Sequence, residues 1–175
     1  MRVSIWLRPM PDAAIALGSN LGERAKTLNI AIDHIGSLGH VRTVSAFLDT
    51  APVGYLDQPR FLNAVLVLET AIPPLDLLEA LLAIERAMGR SRTGVPPKGP
   101  RIIDLDLIFY GSEVLRTDAL TLPHPAMAER AFVLIPLAEI APDWVHPITH
   151  KTVAQMLAEL TAELPATPPP AGASA

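Results

Sequence analysis

The stretch RIIDLDLIFYG, residues 101–111, is the tightest constraint this chain places on its own fold. It reads as a strand, and on a strand residues two apart share a face. Asp104 and Asp106 therefore stand side by side, while Ile103, Leu105 and Leu107 point the other way. One face needs an apolar cover. The other carries two like charges that raise each other's pKa and cost energy unless water or a cation meets them. A half-exposed antiparallel sheet with a solvated face satisfies that demand, and so does a sheet that holds a metal ion.

The rest of the chain supplies neighbours for such a strand. Ala13 to Leu17 is a short apolar run that enters the turn residues Gly18, Ser19 and Asn20, which are expected to cap a helix. Ala25, Leu28, Ile32, Ile35 and Leu38 then recur at helical spacing until the glycines of GSLGH. Residues 41–50 and 60–70 are strand-like and are expected to pair as a long hairpin across the turn-rich segment between them. LDLLEALLAIERAMG after Pro74 is an amphipathic helix closed by Gly89. The order strand, helix, strand, strand, helix, strand defines an α+β, ferredoxin-like βαββαβ core, an antiparallel sheet with helices on one face. EVLRTDALTLP is expected to add a strand or two, PAMAERAFVLIPLAEI one or two helices, and TVAQMLAEL a last helix.

The 175 residues suit one domain with a proper core, assigned to 13–164, with an N-terminal extension over 1–12 and a disordered Pro/Ala-rich tail over 165–175. Half the residues are hydrophobic and 18% are charged, which excludes wholesale disorder. No run is long enough for a bilayer-spanning helix, so no membrane partner is expected. The absence of cysteine removes disulfides and thiolate metal sites and fits the cytoplasm. A net charge of −4 offers nucleic acid no general attraction, so an anion has to be held by a local cluster. Arg86, Arg90, Arg92, Lys98 and Arg101 are that cluster, five of the 14 basic residues placed just ahead of the two aspartates.

Cations beside two carboxylates have the composition of a phosphate-and-magnesium site. Mg²⁺ takes one or two carboxylates and leaves its other positions to water and phosphate, and arginine meets phosphate oxygens with a planar fork. Arg86 and Arg90 also suit simple stabilisation of a helix C-terminus. The loop SRTGVPPKGP, residues 91–100, is long for a connection and reads either as a lid over phosphate or as a surface excursion. Asn63, set among apolar residues of a buried strand, needs amide partners, which neighbouring backbone or a flat nitrogen heterocycle stacked on Phe61 or Phe132 would provide. His124 lies in a proline-flanked stretch and serves either a nucleotide or the fold.

The ordered set ALGSNLG, TAPVGYLDQPRFLN, IERAMGRSR, GPRIIDLDLIFYG and LTLPHPAMAERAFVLIPL closely resembles the 6-hydroxymethyl-7,8-dihydropterin pyrophosphokinase family over about Ala13 to Trp144. The resemblance implies an ATP-dependent diphosphotransferase of folate biosynthesis that moves the terminal diphosphate of ATP to the pterin hydroxymethyl oxygen and releases AMP. It implies two Mg²⁺ ions on Asp104 and Asp106 and a catalytic set of those residues with Arg92 and Arg101. ATP is expected at Arg92, Lys98, Arg101, Thr121, His124 and Arg130. The pterin is expected at Thr50, Val53, Phe61, Asn63 and Phe132. The small-molecule substrates are the expected partners, and the chain is expected to act as a monomer. It departs from a familiar form of the family at Lys98, which stands where that form has a tryptophan, at Ala119, which replaces a basic residue, and at Pro125, which replaces a tyrosine. A two-metal nucleotidyl or phosphohydrolase enzyme with another acceptor, and a metabolite-sensing module that binds without turnover, are the competing readings.

Overall fold

The computed structural model describes residues 10–90 and 93–163. The expected extension and tail lie almost entirely outside this range, and so does Arg92. Within it, strand β1 (Asp12–Ser19) begins one residue before the expected boundary. Helix α1 (Arg24–Gly36), strands β2 (His40–Val44), β3 (Leu48–Thr50) and β4 (Phe61–Glu69), helix α2 (Pro74–Ala87) and strand β5 (Asp104–Tyr110) follow. The strands line up as β2-β4-β1-β5, with β3 also on β4, and the ladders are antiparallel. Two strand–helix–strand units therefore interleave: β4 lies between β1 and β2, and β1 lies between β4 and β5.

Alternation on the strands sorts the core into two layers. Ala13, Ile15 and Leu17 of β1, Leu66 and Leu68 of β4, and Ile103, Leu105 and Leu107 face α1 and α2, meeting Leu28, Ala31, Ile35, Leu77 and Leu81. Ala25, expected on the buried stripe of α1, is exposed, and Ala31 takes its place because the stripe follows 28, 31, 32 and 35. The expected long hairpin is present but broken between β2 and β3. Ser45 mends the break: its backbone N–H donates to the Val65 carbonyl at 2.9 Å, and its hydroxyl accepts the Val65 N–H at 3.0 Å.

The second face of the sheet is also partly covered, so helices flank both faces rather than one. Helices α3 (Ala131–Ile140) and α4 (Val153–Glu163) pack Val133, Leu134, Leu137, Val153 and Met156 on Ala14, Val65, Ile108 and Phe109. A bulge opposite Ala14 and Ile15 lets Ile108 and Phe109 both enter this layer and returns Tyr110 to the first one. Between β5 and α3 the chain forms the two-stranded ribbon β6 (Leu115–Arg116) and β7 (Thr121–Leu122), then a short 3-10 turn (Met127–Glu129). The end of the second face left open by α3 carries Asp104 and Asp106.

Candidate active site

Over that open end lies a cavity of about 670 Å³. Its floor is low because β1 presents the small residues Ala16 and Gly18 there, with Leu17 between them. A Cβ on Gly18 would stand 3.1 Å from Asn63 Oδ1, so glycine keeps the amide accessible. Of the residues expected to bind substrates or metal, Thr50, Val53, Phe61, Asn63, Lys98, Arg101, Asp104, Asp106, His124, Arg130 and Phe132 all line this one space. Thr121 sits in β7, away from the lining, and Arg92 is outside the described residues.

Part of the cavity is a slot built on an amide. Asn63 is 5% exposed and donates from Nδ2 to Thr50 Oγ1 at 2.8 Å, across the β3–β4 ladder. Phe61, two residues earlier on the same face, lies beneath the Arg101 guanidinium at 5.2 Å from its ring centroid. Phe132 stands in the same relation to Arg130 at 5.7 Å.

Beside this slot the two aspartates meet arginines. Asp104 Oδ1 accepts from Arg90 Nη1 at 2.7 Å, and its Oδ2 lies 3.4 Å from Arg101 Nη1. Asp106 Oδ2 accepts from Arg130 Nη1 at 3.3 Å. The cations that meet the like charges in this structure are therefore guanidinium groups. They do so incompletely: burial first, then the charge of Asp104, pushes the Asp106 carboxyl above the usual carboxylate range despite His124, Arg130 and Arg101. Burial likewise holds the His124 imidazole below its ordinary value, against the pull of Asp106. Arg101 keeps a buried Nε–H without a hydrogen-bond partner among the described residues, a donor aimed at no protein group.

Several site residues escape a reading of the sequence. Arg90, read above either as part of the basic cluster or as a helix-end charge, reaches from beyond α2 to Asp104 and pairs with Glu85, a pairing the sequence does not reveal. Glu85 is 3% exposed and accepts the Leu105 N–H at 2.7 Å, tying α2 to β5. Its signal was visible as an acid on the buried stripe Leu77, Leu81, Glu85. Asn20 does not cap α1, whose N-cap is Glu23 without a side-chain bond. It accepts the Arg101 N–H at 2.8 Å and donates to Gln58 Oε1 at 2.9 Å and to the Pro59 carbonyl at 3.1 Å. Gln58 in turn donates to the carbonyls of Tyr55 at 2.6 Å and Lys98 at 2.8 Å. One amide pair thus joins the turn after β1, the loop before β4 and the loop before β5.

Fold and cavity together define an α+β protein with a charged, small-molecule-sized cleft over the open end of an antiparallel sheet. The family model described as 7,8-dihydro-6-hydroxymethylpterin-pyrophosphokinase (HPPK) matches residues 14–142, and the chain belongs to that family. A 2-amino-4-hydroxy-6-hydroxymethyldihydropteridine pyrophosphokinase from Methylorubrum extorquens is 44% identical over 153 residues, covering 86% of this chain and 94% of that one. The Haemophilus influenzae protein of the same name is 44% identical over 140 residues, covering 79% and 86%. The folic acid synthesis protein fol1 of Schizosaccharomyces pombe is 40% identical over 153 residues, 86% of this chain and 21% of fol1. The chain therefore spans about a fifth of the length of that relative, as it does of Pneumocystis carinii fol1. Plasmodium falciparum HPPK-DHPS, crystallised as a triple mutant with pteroate, shares the fold with a TM-score of 0.68 at 15% identity, over 91% of this chain and 44% of that one.

Proposed function

We propose that the protein transfers the terminal diphosphate of ATP to the hydroxymethyl group of 6-hydroxymethyl-7,8-dihydropterin, releasing AMP, as a step of folate biosynthesis. The observation that carries this reading is the continuity of the cavity: a buried amide slot flanked by Phe61 and Phe132 opens directly onto carboxylates and arginines. A flat heterocycle fits the first part and a polyphosphate the second. The interleaved strand–helix–strand units support a ferredoxin-like core. The chain works as a monomer on these small molecules, in the cytoplasm. Among the described residues no helix is long and apolar enough to cross a membrane.

In this reading Asn63 and Thr50 hold the polar edge of the pterin, and Phe61, Phe132 and Val53 bound its faces. Arg101, Arg130, His124, Thr121, Lys98 and Arg92 receive the nucleotide's phosphates and sugar. Asp104 and Asp106 would hold two Mg²⁺ ions. The donor set fits: the carboxylates share a face, Asp106 bears charge repulsion that a cation relieves, and no cluster of three or more acidic, histidine or cysteine side chains among the described residues points to an ion caged by protein alone. Mg²⁺ takes its remaining oxygen ligands from water and phosphate, and when bound it supplies Lewis-acid polarisation of phosphate oxygens. The chain's own residues position the reactants and offset charge. The pterin oxygen attacks the β-phosphorus of ATP in line, the bond from that phosphorus to the α,β-bridging oxygen breaks, AMP departs with that oxygen, and the hydroxyl proton is released. Arg101, with its spare Nε–H, offsets the charge that grows on the leaving phosphate. No general base is assigned.

Incubating the protein with ATP, Mg²⁺ and the reduced pterin is expected to yield AMP and the pterin diphosphate in equal amounts. Nucleotide breakdown that does not depend on pterin would indicate a phosphohydrolase, and binding of both compounds without turnover a sensing module. Either result overturns the proposal.

A further inference from the structure

Lys98 stands apart from the other described cations of the cavity. Arg90, Arg101 and Arg130 each lie against Asp104 or Asp106. No described carboxylate lies within ion-pair distance of the Lys98 ammonium, although Lys98 lines the same space. Its charge is unspent.

The backbone fixes where that charge sits. Lys98 adopts a positive φ of 59°, uncommon for a residue with a side chain, and its carbonyl is held by Gln58 Nε2 at 2.8 Å. Its stem runs across Gly54: a Cβ added at Gly54 would stand 2.9 Å from Lys98 Cδ and 3.8 Å from Nζ. Gly54 has a φ of +88°, so glycine there both permits the turn and clears the track along which the lysine lies. The ammonium is thereby bedded on the loop that carries Val53, in the space that Asn63, Phe61 and the two aspartates also line.

At that position the charge distinguishes the two forms of the acceptor. Before transfer the acceptor presents a neutral hydroxyl, with which a cation gains little beyond what water offers. After transfer the same arm carries a diphosphate, and a charge-assisted contact becomes available. We propose that Lys98 is a specificity-determining residue that holds the diphosphorylated pterin in preference to the pterin alcohol. The inference rests on the reading of the slot as the pterin site and adds which form of the ligand the slot retains.

Calorimetric titration of the full chain with 6-hydroxymethyl-7,8-dihydropterin and, separately, with its diphosphate ester tests this. Lys98→Met is expected to weaken the ester about tenfold and the alcohol less than twofold, and Lys98→Arg to restore most of the loss. Equal weakening of both ligands makes the lysine stem a packing surface and overturns the inference, as does an unchanged affinity for the ester. Wild-type protein that binds neither compound overturns the pterin reading itself, and the role of Lys98 with it.

Discussion

Asn63 occupies a middle strand of the sheet, donates to Thr50 Oγ1 at 2.8 Å, and keeps its carbonyl oxygen in the gap that Gly18 leaves open. A buried polar group without a partner costs more than the bond it loses, so the free half of this amide has to be answered by a ligand or by water. Asn63→Ala is expected to reduce affinity for the reduced pterin by about ten- to a hundredfold while leaving ATP affinity within about twofold. Titration with each ligand alone measures both, and equal losses would make the amide purely structural. His146 makes the same kind of argument for stability. It is buried, its Nδ1 accepts the Ile148 and Thr149 N–H groups at 3.3 and 3.2 Å, and its ring meets the edge of Phe109 at 5.8 Å. Burial holds its pKa below the ordinary 6.5. Between that lowered value and 6.5 the unfolded chain binds more protons, so stability rises with pH across this window and is lost as pH falls through it. Denaturation at pH 7.5 and 5.5 is expected to show a smaller decline for His146→Asn, whose Oδ1 keeps an acceptor but does not titrate. An equal decline would mean that His146 contributes nothing to the pH dependence.

Glu85 shows how an element carries the site. Leu77, Leu81 and Glu85 form the buried stripe of α2, and only the last is charged. Its carboxylate takes the Leu105 N–H and the Arg90 guanidinium, and Arg90 passes on to Asp104, so the helix fixes both the start of β5 and one aspartate. Burial, the largest influence, pushes its pKa up, which makes the partners essential. Glu85→Ala is expected to destabilise the fold by roughly 3 kcal/mol, because it strands the buried Leu105 N–H and takes from the Arg90 guanidinium one of its two carboxylate partners. Urea unfolding with an unchanged m-value checks this, and a loss below about 1 kcal/mol would show that water replaces the carboxylate without penalty. The elements themselves were legible from periodicity: the apolar faces of β1, β4 and β5 and the closing glycine of α2 stand where the pattern put them. Tertiary partners were not. Asn20 has the residue type of a helix cap, yet Gln58, Pro59 and Arg101, all remote in sequence, outbid the local bond. The break at Ser45 depends on a hydroxyl mimicking a strand partner, which no alternation reveals.

For the molecule as a whole, the sequence defined the layer under α1 and α2 but not the second cover, because α3 is apolar over much of its surface and gives no clear face, while the apolar stripe of α4 does not tell which surface it meets. That second cover closes one end of the sheet and leaves the other to the cavity, so the site is where the two layers fail to overlap. Charge follows the same division. The chain carries −4 overall, yet Arg90, Lys98, Arg101 and Arg130 converge on one cleft. At about 0.1 M salt the Debye length is about 10 Å, so distant acids are screened from a bound anion while cations in the cleft are not. In the proposed function ATP affinity is therefore governed by the local cluster, and further salt weakens what that cluster contributes. Raising chloride from about 0.1 to 0.5 M is expected to weaken ATP binding several-fold, and to change binding of the neutral pterin alcohol by less than about twofold, in equilibrium titrations of each. A salt response of equal size for both ligands would mean that added chloride disturbs the cleft itself rather than the charges lining it.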